Sequence, residues 1–172
     1  MEIRQLTARD AAAFQALRLR ALRESPEAFG STYAEEVGRP LDAVASRLAA
    51  DPVTSVVLAA APAPGGPLVG GVGCYRESGR KRRHVGVVWG LFVAPEARGR
   101  GVGRALLAAL VTHVRAWPGL EQLTLTVVPE NAAARALYVR YGFRPVGLAP
   151  RALRDAVRHY DLESFWLPLD AG

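Results

Sequence analysis

The stretch Leu91-Phe92-Val93-Ala94-Pro95-Glu96-Ala97-Arg98-Gly99-Arg100-Gly101-Val102-Gly103-Arg104 decides how the rest of the chain is read. It closes a run beginning at Val85 that is apolar almost throughout, the pattern of a strand covered on both faces. Ala94-Pro95 stops that strand, because proline fixes φ and removes an amide donor. Alternating glycines, interleaved with Arg98, Arg100 and Arg104, then lead into a helical pattern carrying Leu106, Leu110, Val111 and Val114. A helix start presents N–H groups without intrahelical acceptors and the positive end of the helix dipole. Glycines let a diphosphate approach the backbone and arginines add charge, so the segment reads as a site for a phosphate-bearing cofactor.

Two other phosphate motifs do not fit. A P-loop needs G-x-x-x-x-G-K-[ST], and the chain has no Lys-Ser or Lys-Thr. A dinucleotide fold could claim Gly99-x-Gly101, but the third glycine is misplaced. That fold also wants an acid ending the next strand, which here ends Val127-Val128-Pro129.

Toward the N-terminus, Val53 to Ala61 and Leu68 to Tyr75 are β-prone and flank the turn Pro62-Ala63-Pro64-Gly65-Gly66-Pro67, which predicts a hairpin. Thr7 followed by Asp10 predicts a helix start, with Phe14, Leu17 and Ala21 at helical spacing and Ser25-Pro26 as the stop. Phe29 to Tyr33 reads as a loop, and Pro40 opens a second helix with Leu41, Val44, Ala45 and Leu48 on its apolar face. Toward the C-terminus, Leu123, Leu125 and Val127 alternate with Thr124 and Thr126, which predicts a half-buried strand. Asn131 to Tyr141 reads as a helix stopped by Gly142, and strands follow around Arg144–Leu148 and Tyr160–Leu167. The expected order is β-α-α-β-β-β-α-β-α-β-β, one mixed α/β domain over residues 1–172.

Two segments in this order resemble the signatures of the GNAT superfamily of N-acetyltransferases. The first is Arg98-x-x-Gly101-x-Gly103, similar to that family's Q/R-x-x-G-x-G/A pyrophosphate motif. The second runs from Asn131 to Phe143 and resembles N-x-x-A-x-x-L-Y-x-x-x-G-F, with Ala134, Leu137, Tyr138, Gly142 and Phe143 in register. The resemblance implies a mixed, mostly antiparallel sheet of about seven strands, splayed between the fourth and fifth and flanked by about four helices. It implies acetyl-CoA as cosubstrate, bound where Leu91–Val93 parts from Leu125–Val127. Backbone N–H groups from Arg98 through Gly99, Arg100, Gly101, Val102 and Gly103 to Arg104 would hold the diphosphate. Backbone around Leu91, Phe92 and Val93 would bond the pantetheine arm, and an N–H near Val93 would polarise the thioester carbonyl.

The resemblance also implies that Tyr138 is the general acid. CoA thiolate resembles cysteine, with a pKa of about 8.5, and a phenol of about 10 can protonate it without ionising first. Asn131, Arg135, Tyr138 and Gly142 share one helix face, so Asn131 and Tyr138 can meet one cofactor. Tyr138 also suits a core aromatic, Tyr141 is its local competitor, and Asn131 serves equally as a helix cap. Many family members carry a base glutamate on the central strand, whereas here that stretch is Val88-Trp89-Gly90-Leu91. His84 lies nine strand residues from Val93, about 30 Å away, which disfavours it as the base. Glu35 and Glu36 are better placed, and Tyr33, Trp89 and Tyr160 are candidates to shape the acceptor pocket; the base stays unassigned. The expected acceptor is an amine of a small molecule or peptide, and a non-catalytic acyl-CoA sensor is the alternative.

Composition sets the remaining expectations. The formal charge is +6, nearly all from arginine, with Lys81 the only lysine. The run Arg80-Lys81-Arg82-Arg83 reads as a solvated hairpin tip, and no aromatic-interleaved basic pattern argues for nucleic acid. Cys74 and three scattered histidines show no metal-ligand spacing. A single cysteine and the absence of a long apolar run or a signal-like N-terminus point to a cytoplasmic protein without a membrane span. Family habit suggests a homodimer through the last strands.

Overall fold

The computed structural model describes residues 1–169. Its elements are β1 (Glu2–Gln5), α1 (Ala11–Glu24), α2 (Tyr33–Val37), α3 (Leu41–Leu48), β2 (Ser55–Ala61), β3 (Gly70–Arg76), β4 (Val85–Val93), α4 (Val102–Arg115), β5 (Gln122–Val127), α5 (Ala132–Tyr141), β6 (Arg144–Arg154) and β7 (His159–Pro168). Seven strands form one sheet in the order β1-β2-β3-β4-β5-β7-β6. Every neighbouring pair is antiparallel except β4 and β5, which are parallel and joined by the crossover helix α4.

Strand alternation divides the core between the two faces of the sheet. Along β2, Val57 and Ala59 pack with Leu6, Phe14, Val44 and Leu48, beneath α1 and α3. Val56, Leu58 and Ala60 pack instead with Leu106, Leu107 and Leu110 of α4. On α4, Val102, Leu106, Leu107, Leu110, Val111 and Val114 form one buried stripe, each side chain worth about 1.5–3 kcal/mol in transfer from water. The helix entry at Thr7 is held by Asp10, whose carboxylate accepts from the Thr7 amide at 2.8 Å and from Arg4 at 2.7 and 3.0 Å. A single 3₁₀ turn, Ala8–Asp10, precedes α1. No described helix is long and apolar enough to cross a membrane.

The structure departs from the sequence expectation in two places. Tyr33–Val37, within the stretch expected to connect two helices, forms the five-residue helix α2. Thr32 and Glu35 make a capping box there, with Thr32 N–H donating to the Glu35 carboxylate at 2.7 Å. β6 extends to Arg154 rather than ending near Leu148, passing Pro150 through a register irregularity between Ala149 and Leu153. It pairs only with β7, and an edge strand tolerates a proline that an interior strand would not.

Candidate active site

β4 and β5 are paired only over Val85–Val87 and Gln122–Thr124. Beyond that point β4 continues to Val93 against β3, β5 continues to Val127 against β7, and the two part. The backbone of β4 explains the divergence. Gly73 pairs with Trp89 but Gly71 with Phe92, so the strand carries an extra residue, and Gly90 sits there at φ +67°. A bulge with a left-handed glycine bends its strand and increases the local twist. β4 residues past Val87 therefore turn their β5-side polar groups toward an opening instead of a neighbour.

Two cavities occupy that opening, and Ala28 and Phe29 wall both of them. The first, of about 600 Å³, is lined by Leu91, Phe92, Val93, Arg98, Gly103, Leu137 and Asn131–Ala134. Two helix starts, those of α4 and α5, meet at this groove. Gly99 and Gly101 have φ of +70° and +77°, and Gly101 caps α4 in the left-handed conformation that glycine adopts without strain. Gly103 serves packing instead: a Cβ there would meet Leu137 at 3.3 Å and Val93 at 3.6 Å. Arg98 donates from Nε to the Val93 carbonyl at 2.9 Å, tying the turn to the end of the strand. Gly99, Arg100, Gly101 and Arg104 are exposed and Val102 is buried; their side chains do not line the groove, leaving backbone N–H groups as what this turn offers an anion. Before the turn, Glu96 is held by both terminal nitrogens of Arg20 at 2.7 Å, which fastens the loop to α1.

Asn131 caps α5, its side chain accepting from the Ala134 amide at 3.1 Å, and it also lines the groove. Farther along the same helix face, Arg135 pairs with Glu163 of β7 at 2.5 and 3.1 Å. Tyr138 is buried, its ring against Phe143 and Phe165 at centroid distances of 5.8 and 6.2 Å. Burial pushes its phenol up to about 12. Tyr141 lies next to Phe143 at 6.4 Å and is the less buried of the two tyrosines.

The second cavity, of about 540 Å³, lies on the other side of the Gly90 bend. Trp89, Gly90, Thr124, Leu125, Thr126, Ser164 and Phe165 line it, with Arg18 and Arg47 from the helices above. Trp89 lies flat across Gly73, where a Cβ would fall 2.3 Å from the ring, and takes Phe14 against it edge-on. Its exposed face carries the Arg47 guanidinium, 4.1 Å from the ring centroid.

The other residues expected at this pocket lie elsewhere. Glu35 is exposed and occupied by the α2 cap, which lowers its pKa. Glu36 is buried and ion-paired with Arg39 at 2.8 Å and Arg18 at 3.9 Å. Tyr33 accepts from Arg23, whose guanidinium stacks on its ring. Tyr160 donates to Asp155 at 2.6 Å near the β6–β7 turn. Among the described residues no carboxylate lines the second cavity. In the basic run, Arg82 pairs with Glu77 at 2.6 Å and yet reaches the cavity's outer rim, so that tip is nearer the opening than strand length suggested.

Arg18, Arg47 and Phe29 are among the pocket residues that the sequence does not announce. One faint signal exists: Arg18 falls four residues after Phe14, at the edge of the buried face of α1. Arg18 is 11% exposed in its side chain, stacks on Phe29 at 4.9 Å, and its pKa is lowered by burial.

Comparison with known proteins accords with this geometry. The model of the Acetyltransferase (GNAT) family matches residues 17–143. An N-acetyltransferase of Streptomyces griseus is 32% identical over 123 residues, covering 68% of this chain and 61% of that protein. Mycothiol acetyltransferase of Beutenbergia cavernae is 46% identical over 63 residues, 37% of this chain, and the match spans only 21% of that longer protein. Among solved structures, yncA of Salmonella typhimurium, a putative acetyltransferase with its cofactor acetyl-CoA, superposes with a TM-score of 0.80 at 23% identity, covering 99% of this chain and 94% of that one. With three quarters of its length matched by the family model, and the parted parallel strands at the sheet's centre, the chain belongs to the GNAT family of acetyltransferases.

Proposed function

We propose that this chain transfers the acetyl group of acetyl-CoA to an amine of a small molecule or peptide, by direct attack of the amine on the thioester. The observation that carries the reading is the parting of β4 from β5 after Val87 and Thr124, with one cavity on each side of the Gly90 bend and a shared wall at Ala28 and Phe29. Acetyl-CoA would supply the activated acyl group. The N–H groups of the Gly99–Arg104 turn would hold its diphosphate, and the unpaired edge of Leu91–Val93 its pantetheine arm. An N–H near Val93 would donate to the developing oxyanion, where removing one such donor costs about 2.7–4 kcal/mol in other enzymes.

Tyr138 would protonate the departing sulfur. A phenol near 12 stays neutral at physiological pH and so would be present as a hydrogen-bond donor when the thiolate forms, although burial makes it a weaker acid than a free tyrosine. The amine's own proton has no carboxylate among the described residues of the second cavity to go to, so water would be its route. That missing base also favours the alternative reading, an acyl-CoA sensor without turnover.

One experiment separates these readings. The purified protein is incubated with acetyl-CoA and pooled amines; free CoA is followed with a thiol reagent and acetylated products by mass spectrometry. Acceptor-dependent CoA release is the expected result. Tight acetyl-CoA binding with no release across the pool supports the sensor, and no binding removes the proposal.

A further inference from the structure

We propose that the acceptor is an amine that also carries an anionic group, a carboxylate or a phosphate, held by Arg18 and Arg47 in the second cavity. The inference rests on the acetyl-transfer reading and names the substrate class for that site.

Arg39 and Arg18 lie at 2.8 and 3.9 Å from the buried Glu36 carboxylate, and the Arg47 guanidinium is a third positive charge in this region without an ion pair of its own to Glu36. Glu36 is thus already engaged by Arg39, while Arg18 reaches it only at the longer distance. The buried Nε of Arg18 has no hydrogen-bond partner among the described residues. Arg47 makes no ion pair among the described residues; it is open to solvent and lies on Trp89. Both arginines line the cavity, and among the described residues no carboxylate does. A buried donor without a partner is costly, and an excess of positive charge around a cavity is relieved when a ligand brings the anion. The planar fork of arginine fits a carboxylate or phosphate through two parallel hydrogen bonds.

The placement suits the chemistry. The guanidiniums come from α1 and α3, above the sheet, while the thioester end of the opening lies past Gly90 on β4. A ligand anchored at Arg18 and Arg47 can extend its amine along Trp89 toward that bend. Like charge also disfavours the ammonium form near these residues, which eases deprotonation where no carboxylate is at hand. The same field excludes polyamines and cationic peptides.

The test compares kcat/KM for three sets of amines: amino acids and phosphoethanolamine, the matching amino-acid amides, and polyamines. Anionic amines should exceed their neutral counterparts at least tenfold, and the ratio of carboxylate to phosphate substrates identifies which anion is read. In Arg18→Gln and in Arg47→Gln, KM for the anionic amine should rise roughly ten- to hundredfold with acetyl-CoA affinity unchanged. Equal or better use of amides or polyamines overturns the proposal while leaving acetyl transfer intact. Should no amine turn over, thermal stabilisation by inorganic phosphate decides: a shift lost in Arg18→Gln but kept in Arg98→Gln supports the anion site, and any other pattern overturns it. Loss of acetyl-CoA binding to the wild-type protein is the separate failure of the transfer reading.

Discussion

Tyr138 lies with its ring against Phe143 and Phe165, and Phe165 also lines the second cavity. The side chain is thus part of the core and lines neither cavity itself, reaching the opening only through its neighbour Phe165. Tyr138→Phe keeps the ring and its packing and removes only the hydroxyl. If the phenol donates to the leaving sulfur, kcat should fall by about a hundredfold or more, with the acetyl-CoA dissociation constant unchanged by calorimetry. A variant with full turnover would assign the proton to another donor. The pH profile gives an independent check. Burial raises this pKa to about 12, so the proton-bearing form is lost only as pH rises through that value. With no carboxylate among the described residues of the second cavity, kcat/KM should climb with pH toward the pKa of the amine and show no descending limb up to pH 10. A fall centred between pH 8 and 10, in a range where the protein stays folded, would mean a different acid.

At the scale of elements, the turn before α4 separates two glycines that look alike in sequence. Gly101 is left-handed, with open space where a Cβ would lie, so Gly101→Ala meets no clash but pays about 1–2 kcal/mol in backbone strain. Reaiming the first N–H groups of α4 should weaken acetyl-CoA binding as well. Gly103→Ala meets the flexible end of Leu137 at 3.3 Å and gains helix propensity of about 1 kcal/mol, so its stability should stay near that of the wild type. Urea denaturation of both variants, with acetyl-CoA titrations alongside, checks the contrast. The turn and the helix it opens were legible because glycine, proline and apolar periodicity are strong local signals. So was β4, read with its observed ends from Val85 to Val93. The bulge at Gly90 was not, since its cause is a register shift against β3 that no local pattern records. α2 is too short for periodicity, although the Thr32–Glu35 box was there to be read. Arg18 and Arg47 were missed for a different reason: a charge on a helix reads as solvated until the cavity it faces is known.

At the scale of the molecule, the sheet is two pieces, β1 to β4 and β5 with β7 and β6, held by a short parallel pairing. The seam is reinforced at one end, where the Glu121 and Gln122 amides donate to the His84 carbonyl at 2.9 and 3.2 Å and Arg76 donates to the Pro118 carbonyl at 3.0 Å. At the other end the first cavity has Leu91–Val93 on one lip and Asn131–Ala134 on the other. A ligand in this groove therefore bridges both pieces where the backbone does not. A ligand that binds only the folded state at a hundred times its dissociation constant stabilises by about 2.7 kcal/mol. For a chain of this size each kcal/mol is worth about 2–4 °C, so saturating acetyl-CoA should raise the melting temperature by about 5–11 °C. The location of the effect matters more than its size. Hydrogen exchange should slow together at Leu91–Val93, at the Gly99–Arg104 turn and at the start of α5, because the ligand replaces the missing strand contact across the gap. Protection confined to the turn after β4 would mean that the cofactor rests on one piece alone, and that the parted strands do not act as a clamp.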